Sequence, residues 1–357
     1  MTEFLLRIFA PDEAVSRIEV LRDGSALAVG QAHLDLRAMR ALNDDPKAYG
    51  SALRDALFAA APISRAYEQA IAEGAIRLRL LIDPEAQDAH SICWERLILP
   101  INGEDLPAAA SPQSPFSRYV AMDAPAPVAL SSGYAHLLLV VATPNNLRQL
   151  APVDAVAEIE NLVEAWGSLL ENGELRLTVL TGGAQLPPEL REMLSRFSCR
   201  IVEQPATIDL IRELLDGADA LHLIAHGNLT AGQKAVLVLQ RDDGSLALVE
   251  EDLLVEKLNV AGLRFVFLQS CKSSGGGALT GLAPRLVQLG VAAVIAMQDF
   301  VPMGDAREFS SAFYKSLLRE GSVDVAANAG RQAILRADST NYSIPILFSR
   351  LVDGQIW

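Results

Sequence analysis

Cysteine is scarce in this chain, with three among 357 residues: Cys93, Cys199 and Cys271. An odd number, widely spaced and without a Cys-x-x-Cys pair, supplies neither a disulfide framework nor a thiolate zinc site. A reducing compartment is therefore expected, with no metal and no cofactor. Long apolar runs are missing too. No run reaches the roughly 20 residues that span a bilayer, and the apolar stretch at Leu137 to Ala142 is far too short. Met1 to Pro11 carries Glu3 and Arg7 and lacks the apolar core and small-residue cleavage site of a signal peptide. The expectation is a soluble cytoplasmic protein with no membrane association. Basic residues are in deficit, 30 against 44 acidic, for a net charge of −14. That argues against a nucleic-acid surface as the main function, since phosphate binding needs clustered Lys and Arg. It leaves a local basic patch open and is weak support for a basic peptide partner. Hydrophobic residues, by contrast, make up 50% of the chain, enough for a large core and about two domains.

The pattern along the chain changes at a proline- and alanine-rich stretch. Residues 1–100 read as a smaller α+β unit, with strands at Glu3 to Phe9, Arg17 to Leu21 and Ile76 to Ile82. Helices are predicted at Leu34 to Leu42, Pro46 to Ala60 and Ile63 to Glu73. Residues 101–134 contain Leu106-Pro107-Ala108-Ala109-Ala110-Ser111-Pro112 and Ala124-Pro125-Ala126-Pro127. Proline at this density opposes both helix and central strand, so the stretch reads as a linker or as a long ordered loop. Residues 135–357 alternate strand and helix, with a hairpin turning at Asp242-Asp243-Gly244. The fold class is α/β, a sandwich with a mainly parallel sheet.

Two apolar strands of this second region end in reactive side chains. Leu221-His222-Leu223-Ile224-Ala225 runs into His226-Gly227, and Leu263-Arg264-Phe265-Val266-Phe267-Leu268 runs into Gln269-Ser270-Cys271. Parallel sheets carry their functional groups at the carboxyl ends of strands. Were these strands neighbours, an imidazole and a thiol would share one sheet edge, as a cysteine nucleophile and its general base do. Gly227 would let a substrate backbone approach closely, and the N–H groups of Gly227 and Cys271 could stabilise an oxyanion. Each residue alone also reads as packing, because free cysteine behaves as a small core hydrophobe. His222, inside its strand, reads as a packing residue, as do Cys93 and Cys199.

The caspase signature places Gln two residues before the nucleophilic Cys, with His roughly fifty residues upstream. Gln269, Cys271 and His226 fit that spacing, but Lys272 and Ser273 depart from the pattern. The chain more closely resembles the CHAT family of caspase-like peptidases, which is also similar to separase. The resemblance rests on Leu78 to Pro84, Trp94-Glu95-Arg96-Leu97, Leu221 to Gly227, Gly290 to Gln298 and Ile344 to Phe348. It implies a caspase-like α/β/α sandwich in which residues 1–100 form part of the family's module. It implies a His226–Cys271 dyad, an oxyanion hole at Gly227 and Cys271, and Gln269 at the wall of the S1 pocket. Val301-Pro302-Met303-Gly304-Asp305 resembles the separase-type segment whose acidic residue receives a basic P1 side chain. Asp305 equally suits the N-cap of a helix beginning near Ala306.

The resemblance thus implies a regulated cysteine endopeptidase acting on a protein substrate, including in bacterial antiviral defence or signalling. No repeat array is visible, so activation is expected from a partner protein, self-association or upstream cleavage. Two other functions compete. Ser273-Ser274-Gly275-Gly276-Gly277 after a strand suits a phosphate cradle, although the P-loop lysine is missing. A caspase-like scaffold without catalysis is the other.

Overall fold

The computed structural model describes residues 1–12, 15–22, 24–122, 135–147, 151–229, 235–260, 262–270, 281–337 and 339–356. The chain divides into two units, Met1–Ala121 with Asp324–Leu347, and Met122–Val323 with Phe348–Trp357.

The first unit opens with β1 (Thr2–Asp12), β2 (Val15–Arg22) and β3 (Ser25–His33), followed by α1 (Leu36–Ala41), α2 (Pro46–Leu57) and α3 (Ala61–Ala72). Then come β4 (Ile76–Ile82), the single turn α4 (Gln87–His90), β5 (Ile98–Ile101), β6 (Glu104–Pro107) and β7 (Phe116–Tyr119). β1 is antiparallel to β2 and β2 to β3, whereas β4 runs parallel to both β1 and β7. Period-two alternation puts Phe4, Leu6 and Ile8 on one face, where Leu53, Leu57, Ile63 and Tyr67 of α2 and α3 join the same core. Gly30 in β3 permits this approach, since a Cβ there would come within 2.6 Å of the Ala60 Cβ.

The stretch read as a linker, 101–134, is ordered over 101–122, and its remainder, 123–134, lies outside the described residues. Asn102 and Gly103, both with positive φ, turn the β5–β6 hairpin, and β7 joins the sheet beside β4. The cause lies far away in sequence, in α11 (Val323–Arg336). The Asn328 amide donates to the carbonyls of Ala108, Ser111 and Ser114, and accepts from the Phe116 N–H. The fully buried Arg331 donates to the carbonyls of Ala109, Phe116 and Pro345. Backbone groups that proline and irregular geometry leave out of ladders find partners in these two side chains. The Trp94-Glu95-Arg96-Leu97 motif is also structural. Trp94 is buried, Glu95 forms a bidentate pair with buried Arg118 at 2.9 and 2.7 Å, and Arg96 reaches the Asn43 carbonyl.

The second unit contains β8 (Ala135–Val141), α5 (Ala155–Glu171), β9 (Leu175–Leu180), α6 (Pro188–Arg196), β10 (Arg200–Val202), α7 (Ile208–Leu214) and β11 (Ala220–Leu229). It continues with β12 (Ala235–Gln240), β13 (Leu246–Glu250), α8 (Glu251–Leu258), β14 (Phe265–Ser270), α9 (Leu282–Gln288), β15 (Ala293–Met297) and α10 (Met303–Glu320). The parallel strands lie in the order β10-β9-β8-β11-β14-β15. Thr207, a residue type suited to an N-cap, caps α7 by accepting from the Leu210 N–H. A last strand, β16 (Pro345–Ser349), carries the chain from the first unit into the second. The predicted α/β class with a mainly parallel sheet is what the structure contains.

From β8 the chain moves outward through β9 and β10, then returns to β11 and proceeds the other way through β14 and β15. Right-handed crossovers therefore put α5 on one face of the sheet and α7, α8 and α9 on the other. α10 packs on α5. The reversal creates a crevice between the carboxyl ends of β8 and β11, where open α/β sheets bind their ligands.

Candidate active site

His226 stands at that crevice. β11 pairs with β14 in register from Ala220↔Phe265 to Ala225↔Ser270. One residue further along are His226 on β11 and, in the sequence, Cys271 after β14. Cys271 lies outside the described residues, as does the glycine-bearing loop from Lys272 to Gly277. The expectation that β11 stops at His226 is corrected. The strand leaves the parallel sheet but continues to Leu229, pairing antiparallel with β12. Gly227 thus opens no loop; it faces Leu237 in this ladder and is buried. The β12–β13 hairpin supplies the partner, a tertiary contact that the apolar run of β11 does not encode.

His226 is buried at 3% exposure, and its Nε2 lies 2.9 Å from the carbonyl oxygen of Ala151, in the connection between β8 and α5. A carbonyl only accepts, so Nε2 carries the proton and Nδ1 of the neutral ring is the basic nitrogen. Ala151 had no sequence signal, because its contribution is a backbone oxygen.

Gln269 faces inward, with 1% of it exposed. Its Nε2 lies 3.1 Å from Glu158 Oε2, and its Oε1 lies 3.1 Å from His222 Nε2. Glu158, fully buried on α5, takes a second bond from Arg307 Nε of α10 at 2.8 Å. His222 Nδ1 lies 2.9 Å from the Tyr314 hydroxyl. One donor direction satisfies all four contacts. The carboxylate can only accept, so the Gln269 amide turns its NH₂ to Glu158 and its oxygen to His222. His222 must then donate from Nε2 and accept from the Tyr314 hydroxyl at Nδ1. Burial pushes the His222 pKa down to about 3, partly opposed by the bond to Gln269, so the ring is neutral, as this direction requires. Burial also raises the Glu158 carboxyl above its ordinary value, against the opposing effects of Arg307 and Gln269. His222 stacks on Phe267 at 4.3 Å, so it does pack as its sequence position suggests, but it bonds as well. Glu158 and Arg307 carried no sequence signal beyond their helical positions.

Asp305 is half-buried in the first turn of α10. The helix begins at Met303 with Pro302 as its N-cap, so Asp305 is not the cap that its sequence position allowed. Its carboxylate still favours the helix N-terminus. Among the described residues, no group of three or more His, Cys, Asp or Glu side chains could hold a metal ion, and no helix is long and apolar enough to cross a membrane.

A model of the CHAT domain matches residues 47–350. Comparison with curated proteins finds no match. Among solved structures, the chain is similar to a Saccharomyces cerevisiae separase–securin complex, with 11% identity over 76% of this chain and a TM-score of 0.42. It spans 15% of the length of that separase-complex chain. It is also similar to Caspase-1 from Spodoptera frugiperda, with 14% identity over 66% of this chain and 94% of that one, and a TM-score of 0.37. With the family model covering most of its length, the chain belongs to the CHAT domain family.

Proposed function

We propose that this protein is a cysteine endopeptidase in which His226 is the general base and Cys271 the nucleophile. One observation carries the reading: the β11–β14 register ends at Ala225↔Ser270, the residues immediately before His226 and Cys271. Residues paired across parallel strands face the same side of a sheet, about 5 Å apart. The Ala151 carbonyl on Nε2 supports the role of His226, since it holds the ring in the tautomer whose Nδ1 takes a proton.

In the reaction, Nδ1 removes the thiol proton and the sulfur attacks the scissile carbonyl carbon. The oxyanion accepts hydrogen bonds from the N–H groups of Gly227 and Cys271. The imidazolium keeps its Nε2–H on Ala151 and returns the Nδ1 proton to the leaving amine as the C–N bond breaks. Water, deprotonated by the same Nδ1, then attacks the thioester, releasing the acid and the free thiol.

The substrate is a protein cleaved after a basic P1 residue, which Asp305 receives through charge-assisted hydrogen bonds. Gln269 backs the S1 wall from inside the core. A partner protein or self-association switches the enzyme on, in the effector setting of defence or signalling that the family resemblance implies. The purified protein, given a peptide library together with any activating partner, should cleave after Arg or Lys, whereas Cys271→Ala and His226→Ala should not. Full activity in either variant would sink the dyad, and cleavage after acidic residues would sink the P1 assignment.

A further inference from the structure

Glu158 is buried where nothing in the backbone asks for a carboxylate. It sits one turn inside α5, in a helix capped separately by Asp154, which accepts from the Ala157 N–H. Its two oxygens each take one side chain from a different element. Oε2 takes Gln269, two residues before Cys271, and Oε1 takes Arg307, two residues after Asp305. The far end of the Gln269 amide is held by His222, four residues before His226 on β11 and itself fixed by Tyr314 of α10. The residues leading into the base, the nucleophile and the P1-binding turn therefore share one chain of hydrogen bonds. We propose that Glu158 is a positioning residue for the site, holding the end of β14 and the first turns of α10 at one spacing through Gln269 and Arg307. This rests on the peptidase reading.

The donor direction of the chain makes the proposal testable by exchange. Glu158→Gln cannot accept from both neighbours; with its oxygen on Arg307, its NH₂ meets the Gln269 NH₂, and turning that amide and the His222 tautomer around takes the acceptor away from the buried Tyr314 hydroxyl. Gln269→Glu sets two carboxylates against each other. The double swap, Glu158→Gln with Gln269→Glu, restores every hydrogen bond of the chain and keeps the net charge, moving the carboxylate from position 158 to position 269. The amide at 158 accepts from Arg307 and donates to the carboxylate at 269, which still accepts from His222 Nε2.

The protein, with its activator where labelling needs one, is treated with an arginine-ending peptide acyloxymethyl ketone, whose carboxylate leaves as the Cys271 sulfur bonds to its methylene carbon. Iodoacetamide, which needs only a reactive thiolate, is used in parallel. All rates are taken well below each variant's Tm. Each single substitution should slow peptidyl labelling by about tenfold or more, since small misalignments cost that much. Iodoacetamide labelling should stay within about twofold, and the double swap should recover peptidyl labelling to within about threefold. A merely structural role would shift Tm and leave the labelling ratio of the folded protein unchanged. Single variants that keep the wild-type ratio overturn the proposal, as does a double swap that is unfolded or as slow as the singles. Should the singles fail to fold, a folded double swap with wild-type labelling supports it. Wild-type protein labelled by iodoacetamide alone counts against the peptidase reading itself, and a swap that then also fails to restore Tm overturns the coupling.

Discussion

Each unit buries an amide and a glutamate that pairs with an arginine, but they serve different ends. In the first unit, Asn328 and Arg331 donate to backbone carbonyls of an irregular, proline-rich segment, standing in for the ladder that segment lacks. The Glu95–Arg118 pair beside them is sealed, with 0% and 3% of the side chains exposed. In the second unit, Gln269, His222, Glu158 and Tyr314 bond to one another between helices and strands whose backbones are already paired. There the arginine, Arg307, is 33% exposed. A polar network that satisfies backbone is needed to fold the segment it serves. One that joins regular elements fixes their spacing, and it lies under the strand ends where chemistry is expected.

Substitutions can break this contrast at either end. The largest effect is expected on activity. Cys271→Ala and His226→Ala should each reduce peptide cleavage at least about a thousandfold while leaving the denaturation midpoint close to wild type. In the first unit the sign of the contrast reverses. Glu95→Ala strands a buried guanidinium and should cost about 3–5 kcal/mol in chemical denaturation, with catalysis by the remaining folded protein unchanged. Gly50→Ala should follow, at about 1–3 kcal/mol, because a Cβ there would lie 2.0 Å from the Arg96 carbonyl oxygen.

A pH dependence separates the units more finely. His222 is held neutral with a folded pKa of about 3, below the ordinary value of about 6.5 for an unfolded chain. Its contribution to stability is full above pH 6.5 and is lost as pH falls toward 3, because only the unfolded state takes up the proton. The slope should approach about 1.4 kcal/mol per pH unit within that window. Denaturation of His222→Gln from pH 7 to 4 should lack this slope, and an unchanged slope would show that the ring titrates when folded. The smallest effect is expected at the exposed Arg196–Glu192 pair on α6. Glu192→Ala should change stability by less than about 0.5 kcal/mol.

Much of the fold was legible because its signals are local. The apolar run from Ile76 to Ile82, the Thr207 cap and the Asp242-Asp243-Gly244 turn act over a few residues, and the structure has β4, α7 and the β12–β13 hairpin there. The β5–β6 hairpin had its own local signal, Asn102-Gly103, which the surrounding prolines masked. β3 was illegible because Ser25 to His33 contains three Ala and one Gly, poor strand formers, and is held by pairing with β2. At the candidate site, the apolar run leading into His226 was legible, but the continuation of its strand to Leu229 was not. Ala151 was not, since any residue offers a carbonyl. Glu158 and Arg307 were not, since charged residues on amphipathic helices ordinarily face water.

Hydrophobic period and turn chemistry are properties of short segments, and they were enough to read the α/β class and the position of most strands and helices. The β11–β14 register, the bond from His226 to the Ala151 carbonyl and the partners of the buried polar groups emerged only from packing. The Gln269–Glu158 bond spans 111 residues of chain, and the Asn328–Ala108 bond spans 220. Contacts at such separations depend on how finished elements pack, and no local pattern of residue types encodes which donor will meet which acceptor.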